Sequence, residues 1–74
     1  MNDLLDIINT VLRDIEKPEI SELQDSFNLR SDLGFDSLAL ARLTVLVEDK
    51  FQIDIFSDGI IHTIGEVKAK IGLG

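Results

Sequence analysis

At 74 residues, of which 45% are hydrophobic, the chain is expected to form one small domain, residues 1–74, near the lower size limit for a single hydrophobic core. Its 14 acidic and 7 basic residues give a net charge of −7, which disfavours binding to nucleic acid or insertion into an anionic membrane and favours partners with basic surfaces. Cysteine is absent and His62 is the single histidine, so the composition predicts no disulfide, no catalytic thiol and no metal site.

The first predicted element is an amphipathic helix over residues 3–16. Asn2 or Asp3 is available as its N-cap, and Pro18 lies just past its end. Acidic residues interrupt the apolar run, so the segment is neither a signal peptide nor a membrane span, and we expect a cytoplasmic protein. The apolar residues at helical spacing are Leu4, Ile7, Ile8, Val11, Leu12 and Ile15.

A long connection without a sustained period follows this helix. Such a length is unusual in a compact domain unless the segment is functional. Ser21 and Gln24 have the spacing of a capping box, which predicts a single helical turn there. The apolar side chains expected to hold the connection against the helices are Ile20, Leu23, Phe27, Leu29, Leu33 and Phe35.

The second long helix is predicted over residues 37–50, and it has two apolar faces. At 100° per residue, Leu40, Leu43, Val47 and Phe51 form an inward stripe. Leu38, Ala41 and Val45 fall on the opposite side. Either these three are ordinary surface apolar residues or pack under the long connection, or they form a docking surface for a partner protein.

Two further helices complete the predicted fold. A short one covers residues 56–61, capped by Ser57 or Asp54, and the last begins at a capping box of Thr63 and Glu66 and ends at Gly72. His62 is interpreted as an ordinary residue leading into this last helix. The fold class is therefore all-α: a small four-helix bundle of three longer helices and one short helix, with a long loop between helices one and two.

Ser37 opens the second helix and can have either of two roles. Asp36 and Ser37 are adjacent, and Asp and Ser are about equally good N-caps, so one of them is not needed for capping. If Asp36 is the cap, the Ser37 hydroxyl lies in the first turn, where the helix dipole and free N–H groups stabilise a phosphate ester. Ser37 is thus either a cap or an attachment point.

The stretch "DLGFDSLALARLTVLVEDKFQIDI", followed by "TIGEV", resembles the acyl carrier protein family over nearly the whole chain. In that family a Leu-Gly-x-Asp-Ser-Leu element opens the second helix. The resemblance implies a non-catalytic protein that carries acyl groups as thioesters on 4'-phosphopantetheine, attached to Ser37 by a phosphopantetheinyl transferase that uses coenzyme A. It also implies that Asp36 helps to position the transferase and its metal-bound coenzyme A.

The resemblance further implies a monomer that presents its second helix to acyl-loading, condensing or modifying enzymes with basic docking patches. The partner-binding residues on this helix are expected to be Leu38, Ala41, Arg42, Val45, Glu48 and Asp49. A further hypothesis is that the interior of the bundle opens to shelter an acyl chain near Phe27, Leu43, Leu46, Val47 and Ile61.

The chain departs from many fatty-acid carriers at Ala39 and Arg42, where those carriers have acidic residues. Arg42 either selects against the wrong partner enzymes, which favours a pathway dedicated to a polyketide, a specialised lipid or an amino-acid-derived starter, or simply pairs with Asp49 or Asp36. Two alternative functions stay open: an aminoacyl or peptidyl carrier of a nonribosomal peptide pathway, and a helical interaction module without a cofactor. The first alternative is disfavoured because carriers of that kind have a Gly-Gly-His-Ser type of approach, whereas Asp36 precedes Ser37 in this chain.

Overall fold

A computed structural model of the chain describes residues 3–56, 59 and 61–72, and its regular structure is helical. Within these ranges it contains three helices: α1 (Asp3–Asp14), α2 (Ser37–Phe51) and α3 (Ile64–Ile71). The same residues contain no β-strand, although an isolated antiparallel bridge joins Asn28 to Thr63. The all-α prediction is confirmed.

Helix α1 buries one face and ends earlier than predicted. Its apolar stripe lies in the core, as the spacing indicated. The helix stops at Asp14 because Glu16 adopts a left-handed backbone conformation (φ 60°). The N–H of Lys17 then bonds the carbonyl of Leu12 (2.8 Å) and that of Glu16 bonds the carbonyl of Arg13 (3.1 Å), the Schellman pattern that closes a helix. The predicted cap Asn2 lies outside the described residues.

The single helical turn predicted at Ser21 and Gln24 is wrong. The Gln24 side-chain amide instead donates to Glu22 (3.2 Å), and no described helix begins in this segment. A turn forms further along, where Asn28 Oδ1 accepts the N–H groups of Arg30 and Ser31, both at 2.9 Å. A local side-chain bond of this kind satisfies the backbone as well as a capping box does.

Hydrogen bonds at two places hold the long connection to the rest of the fold. Near its start, Asn9 on α1 forms a two-way bond with the backbone of Ile20, at 2.8 and 2.9 Å. Near its middle, the N–H of Leu29 bonds the carbonyl of His62 (2.8 Å), and the N–H of Ile64 bonds the carbonyl of Phe27 (3.0 Å). The expected apolar contacts are present as well: Leu29, Leu33 and Phe35 are buried, and Ile20, Leu23 and Phe27 pack against the core.

Helix α3 has the predicted caps. Thr63 is the N-cap and its hydroxyl accepts the N–H of Glu66 (3.2 Å), while Gly72 ends the helix in the left-handed conformation (φ 82°). His62 is exposed and directly precedes Thr63, as predicted.

The short helix predicted over residues 56–61 is not confirmed. Asp54 Oδ1 accepts the N–H of Phe56 (2.9 Å), and the N–H of Gly59 bonds the carbonyl of Phe56 (3.2 Å). An aspartate that bonds the backbone two residues ahead favours a turn over a helix. Residues 57, 58 and 60, including the alternative cap Ser57, lie outside the described residues.

One hydrophobic core joins the three helices and their connections. The predicted inward stripe of α2 is confirmed, since Leu40, Leu43 and Val47 are buried and Phe51 packs against the core. Of the remaining residues named for an acyl-chain shelter, Ile61 is buried, and Phe27 and Leu46 are half-buried. The buried residues are Leu4, Ile7, Ile8, Val11, Leu12, Leu29, Leu33, Phe35, Ala39, Leu40, Leu43, Val47, Ile55, Ile61, Ile64, Val67 and Ile71.

Candidate functional site

Asp36, and not Ser37, caps helix α2. Asp36 has an extended backbone (φ −94°, ψ −172°), and its Oδ1 accepts the N–H of Ala39 at 2.9 Å. Ser37 is the first residue of the helix and is exposed. Within the described part of the chain no partner bonds the Ser37 hydroxyl, so this group is available for chemistry and is not needed to begin the helix.

The residues just before the cap fix where Ser37 emerges. Phe35 is buried, and its N–H bonds the carbonyl of Leu29 (2.9 Å). Gly34 turns the chain with φ 74°, a conformation that glycine adopts without strain, and its N–H bonds the carbonyl of Arg30 (3.0 Å). The N-terminus of α2 is therefore held from the core side, and Ser37 is directed outward.

The backbone at the start of α2 provides groups that favour an anion near Ser37. The first N–H groups of a helix have no intrahelical acceptor, and together with the helix dipole they make this end positive. The Asp36 carboxylate accepts the N–H of Ala39. The N–H groups of Ser37 and Leu38 are therefore the free donors nearest to the Ser37 hydroxyl. No acidic residue lies in the first turn of α2 to compete for them.

An open cleft of about 260 Å³ lies beside Ser37. Its lining includes the apolar side chains of Leu40, Ala41 and Phe56, and the Thr44 hydroxyl already donates to the carbonyl of Leu40 (2.9 Å). Arg30 supplies the basic group of the lining. The residues around the cleft are Arg30, Ser37, Leu40, Ala41, Thr44 and Phe56.

The outer face of α2 is uncovered. Leu38 is 81% exposed and Val45 is 60% exposed, and Ala41 between them is exposed as well. The long connection does not cover them, so the interpretation that they pack beneath it is wrong. An apolar strip at helical spacing therefore faces outward from the same helix that opens with Ser37.

The charged residues of this helix are distributed unevenly. Glu48 and Asp49 are exposed near its C-terminal end, where they line a shallow depression with Val45 and Gln52. Arg42 pairs with Asp14 on α1, at 3.2 Å between Nε and Oδ2, so the prediction that it pairs with Asp49 or Asp36 is wrong. The reason is that the side of α2 bearing Arg42 packs beside α1.

The neutral residue at position 39 is explained by burial and not by an ion pair. Its side chain is 2% exposed and belongs to the core, so it lies on the inward side of α2. A carboxylate there would be taken out of water without a partner, which is costly. Packing accounts for the neutral residue at this position.

Two findings concern the described residues as a whole. No group of three or more His, Asp or Glu side chains is placed to hold a metal ion in residues 3–56, 59 and 61–72. The helices of those ranges are all too short, or too polar, to cross a bilayer.

Sequence reasoning singled out Ser37, Asp36 and the outer face of α2, but it missed Arg30 and Phe56. Both come from connections, and the folded chain brings them beside the first turns of α2. Arg30 lies seven positions before Ser37, and the chain between them is a loop, so no helical or strand period relates the two residues. The sequence therefore contains no local signal for this neighbourhood.

A protein-family model described as a phosphopantetheine attachment site matches residues 2–71. No curated protein matches the chain, and no solved structure does. Domains that this model describes attach 4'-phosphopantetheine covalently.

The residues present fit this group. Its attachment requires an accessible hydroxyl, and Ser37 is exposed with no bonding partner among the described residues. Its phosphodiester requires donors and positive potential, which the first N–H groups and the dipole of α2 provide. The chain contains no cysteine, and the thiol of the group supplies the sulfur that a thioester needs.

Proposed function

Because the chain belongs to the phosphopantetheine-attachment family, we propose that it is a monomeric, cytoplasmic acyl carrier that bears 4'-phosphopantetheine on Ser37. A phosphopantetheinyl transferase forms the bond from Ser37 Oγ to the pantetheine-bearing phosphorus of the coenzyme A diphosphate, as the bond from that phosphorus to the bridging oxygen breaks. Adenosine bisphosphate leaves, and the hydroxyl proton is lost to a base. The terminal thiol then holds acyl groups for enzymes of fatty-acid, polyketide or specialised-lipid synthesis.

The observation that carries this proposal is the division of roles between Asp36 and Ser37. A serine that caps a helix uses its oxygen to accept a backbone N–H. In this chain the Asp36 carboxylate does so, at 2.9 Å from the N–H of Ala39, and Ser37 retains a free, exposed hydroxyl. The two-residue arrangement allows α2 to begin in the same way before and after Ser37 is esterified.

The outer face of α2 supports a docking role toward partner enzymes. Leu38, Ala41 and Val45 form an exposed apolar strip, and Glu48 and Asp49 lie at its C-terminal end. An apolar contact bordered by carboxylates is complementary to an enzyme with an apolar pocket and Arg or Lys at its edge. The transferase and the acyl-handling enzymes are proposed to use this same surface.

Arg42 contributes less positive charge to that surface than the sequence alone indicates. Its guanidinium pairs with Asp14, and both side chains are about half exposed. Asp14 partly offsets the positive charge of Arg42. It does not remove that charge, because an ion pair exposed to water is weak and is screened by salt. We propose that Arg42 leaves this side of the docking surface nearly neutral, in a carrier dedicated to one pathway.

An acyl cargo is favoured over an aminoacyl cargo by the residue before Ser37. Asp36 occupies the position where carriers of nonribosomal peptide synthesis have His. Purified loading enzymes separate the two functions. Charging by an adenylating enzyme with an amino acid, but not by an acyltransferase with malonyl groups, would overturn the acyl assignment.

Attachment itself is tested by the intact mass of the protein before and after incubation with coenzyme A, magnesium and a broad-specificity phosphopantetheinyl transferase. We expect one added phosphopantetheine in the natural chain and none in Ser37→Ala. Ser31→Ala is the matched control, because Ser31 is also exposed and lies in the connection just before the site, and it should gain the group normally. A helical interaction module would instead be indicated by two results together: the natural chain gains no mass, and the Ser37→Ala variant retains its biological activity in the cell.

A further inference from the structure

Arg30 is a cation without a carboxylate partner. Arg13, Arg42, Lys50 and Lys68 each form an ion pair, with Glu19, Asp14, Asp3 and Asp25 respectively. Among the described residues no such pair, and no side-chain hydrogen bond, involves the Arg30 guanidinium. Its charge is therefore available to an anion from outside the polypeptide.

The backbone of Arg30 is held at both of its polar groups. Its N–H donates to Asn28 Oδ1 (2.9 Å), and its carbonyl accepts the N–H of Gly34 (3.0 Å). These bonds connect Arg30 to the turn that leads into α2. Arg30 and Ser37 line the same cleft, so this fixed backbone places Arg30 beside the start of α2.

Esterification of Ser37 creates an electrostatic problem at this position. A phosphodiester carries one full negative charge, and the Asp36 carboxylate is the adjacent residue. Like charges at such a separation repel, and the dipole of α2 offsets only about half a charge. A guanidinium close to the phosphodiester would offset the remainder, and its planar donors match phosphate oxygens in pairs.

We propose that Arg30 is a positioning residue for the phosphodiester that links 4'-phosphopantetheine to Ser37. Its guanidinium pairs with the phosphate oxygens and fixes the direction in which the arm leaves the helix. This inference rests on the proposed function. It concerns a residue of the connection and not of α2, so the docking face of the helix stays free for a partner enzyme.

The test uses NMR of the isotope-labelled full chain, with and without the attached group. On attachment we expect the side-chain Nε–Hε signal of Arg30 to shift and its exchange with water to slow severalfold. The signal of Arg13, whose guanidinium pairs with Glu19 away from the cleft, is the internal control and should not move. This readout needs no variant and no partner enzyme.

Phosphorus NMR of variants completes the test. Arg30→Gln should shift the phosphorus signal of the attached group and increase its mobility, Arg30→Lys should restore part of the natural value, and Arg13→Gln should leave it unchanged. High salt should reduce the difference between the natural chain and Arg30→Gln, because it screens an exposed pair.

The outcomes are distinguishable by mass. This inference alone would be overturned if the natural chain gained the group but two signals did not respond. These are the Arg30 signal on attachment, and the phosphorus signal on Arg30→Gln substitution. A natural chain that gains no mass would overturn the proposed function, and the role of Arg30 with it.

Discussion

Two residues of helix α2 that lie two positions apart are predicted to have different roles, one in folding stability and the other in partner binding. Leu43 is fully buried, whereas Val45 is 60% exposed. Both are changed to alanine, which removes apolar carbons and improves helix propensity in each case. The difference between the two variants in free energy of unfolding therefore reports burial and not backbone preference.

The expected magnitudes differ severalfold. Leu43→Ala removes fully buried carbons from the core and leaves a cavity, which costs about 2–5 kcal/mol. A chain of this length is stable by only about 4–11 kcal/mol, so the loss is a large part of the total. Val45→Ala removes carbons that are mostly in water already and should change stability by no more than about 0.5 kcal/mol.

Urea unfolding followed by far-ultraviolet circular dichroism measures both variants, and binding to a partner enzyme is measured alongside. We expect Leu43→Ala to unfold at clearly lower urea, and Val45→Ala to match the natural chain while binding the partner more weakly. Equal losses of stability would contradict the assignment of the two faces. Unchanged partner binding by Val45→Ala would remove Val45 from the docking surface and leave the core assignment intact.

Three further substitutions test the site and its surroundings. Ser37→Ala should change the free energy of unfolding by less than about 0.5 kcal/mol, since no capping bond is lost, yet it should abolish attachment in the mass assay; a clear loss of stability would show that the hydroxyl supports the helix. Asp36→Ala should cost about 0.5–2 kcal/mol in urea unfolding because the N-cap bond disappears, and stability equal to the natural chain would refute the capping role. Arg42→Gln should cost at most about 1 kcal/mol, with the difference vanishing at high salt, because its pair with Asp14 is half exposed; a larger, salt-independent loss would contradict a surface pair.

The parts of the fold that could be predicted are those in which neighbours along the chain determine the structure. The stripe of α1, the inward stripe of α2 and the Thr63 cap all follow from spacings of three or four residues. The turn at Ser21 was wrong for a related reason. A capping-box spacing is short enough to occur by chance, and a side-chain bond from Asn28 instead stabilises a turn several residues later.

The parts that could not be predicted depend on residues distant in sequence. Arg42 has carboxylates close by along the chain, but it pairs with Asp14, 28 positions away, because α1 and α2 pack side by side. The proximity of Arg30 to Ser37, only seven positions apart, was missed for another reason, because it depends on the path of an irregular loop. Gly34 and Phe35 turn the chain back toward the core, so a residue of the connection comes to line the cleft at the start of α2.

The division of roles around Ser37 explains how a small core could support the modification that we propose at this residue. Stability in this segment comes from Phe35 in the core and from the Asp36 cap, and neither contribution involves the serine oxygen. Esterification at Ser37 therefore leaves every bond that begins α2 in place. If instead Ser37 were the cap, attachment would replace its hydroxyl with an ester oxygen, a poorer acceptor, and would weaken the helix that partners are proposed to recognise. The order Asp-Ser would thus let one helix keep the same start before and after the proposed attachment.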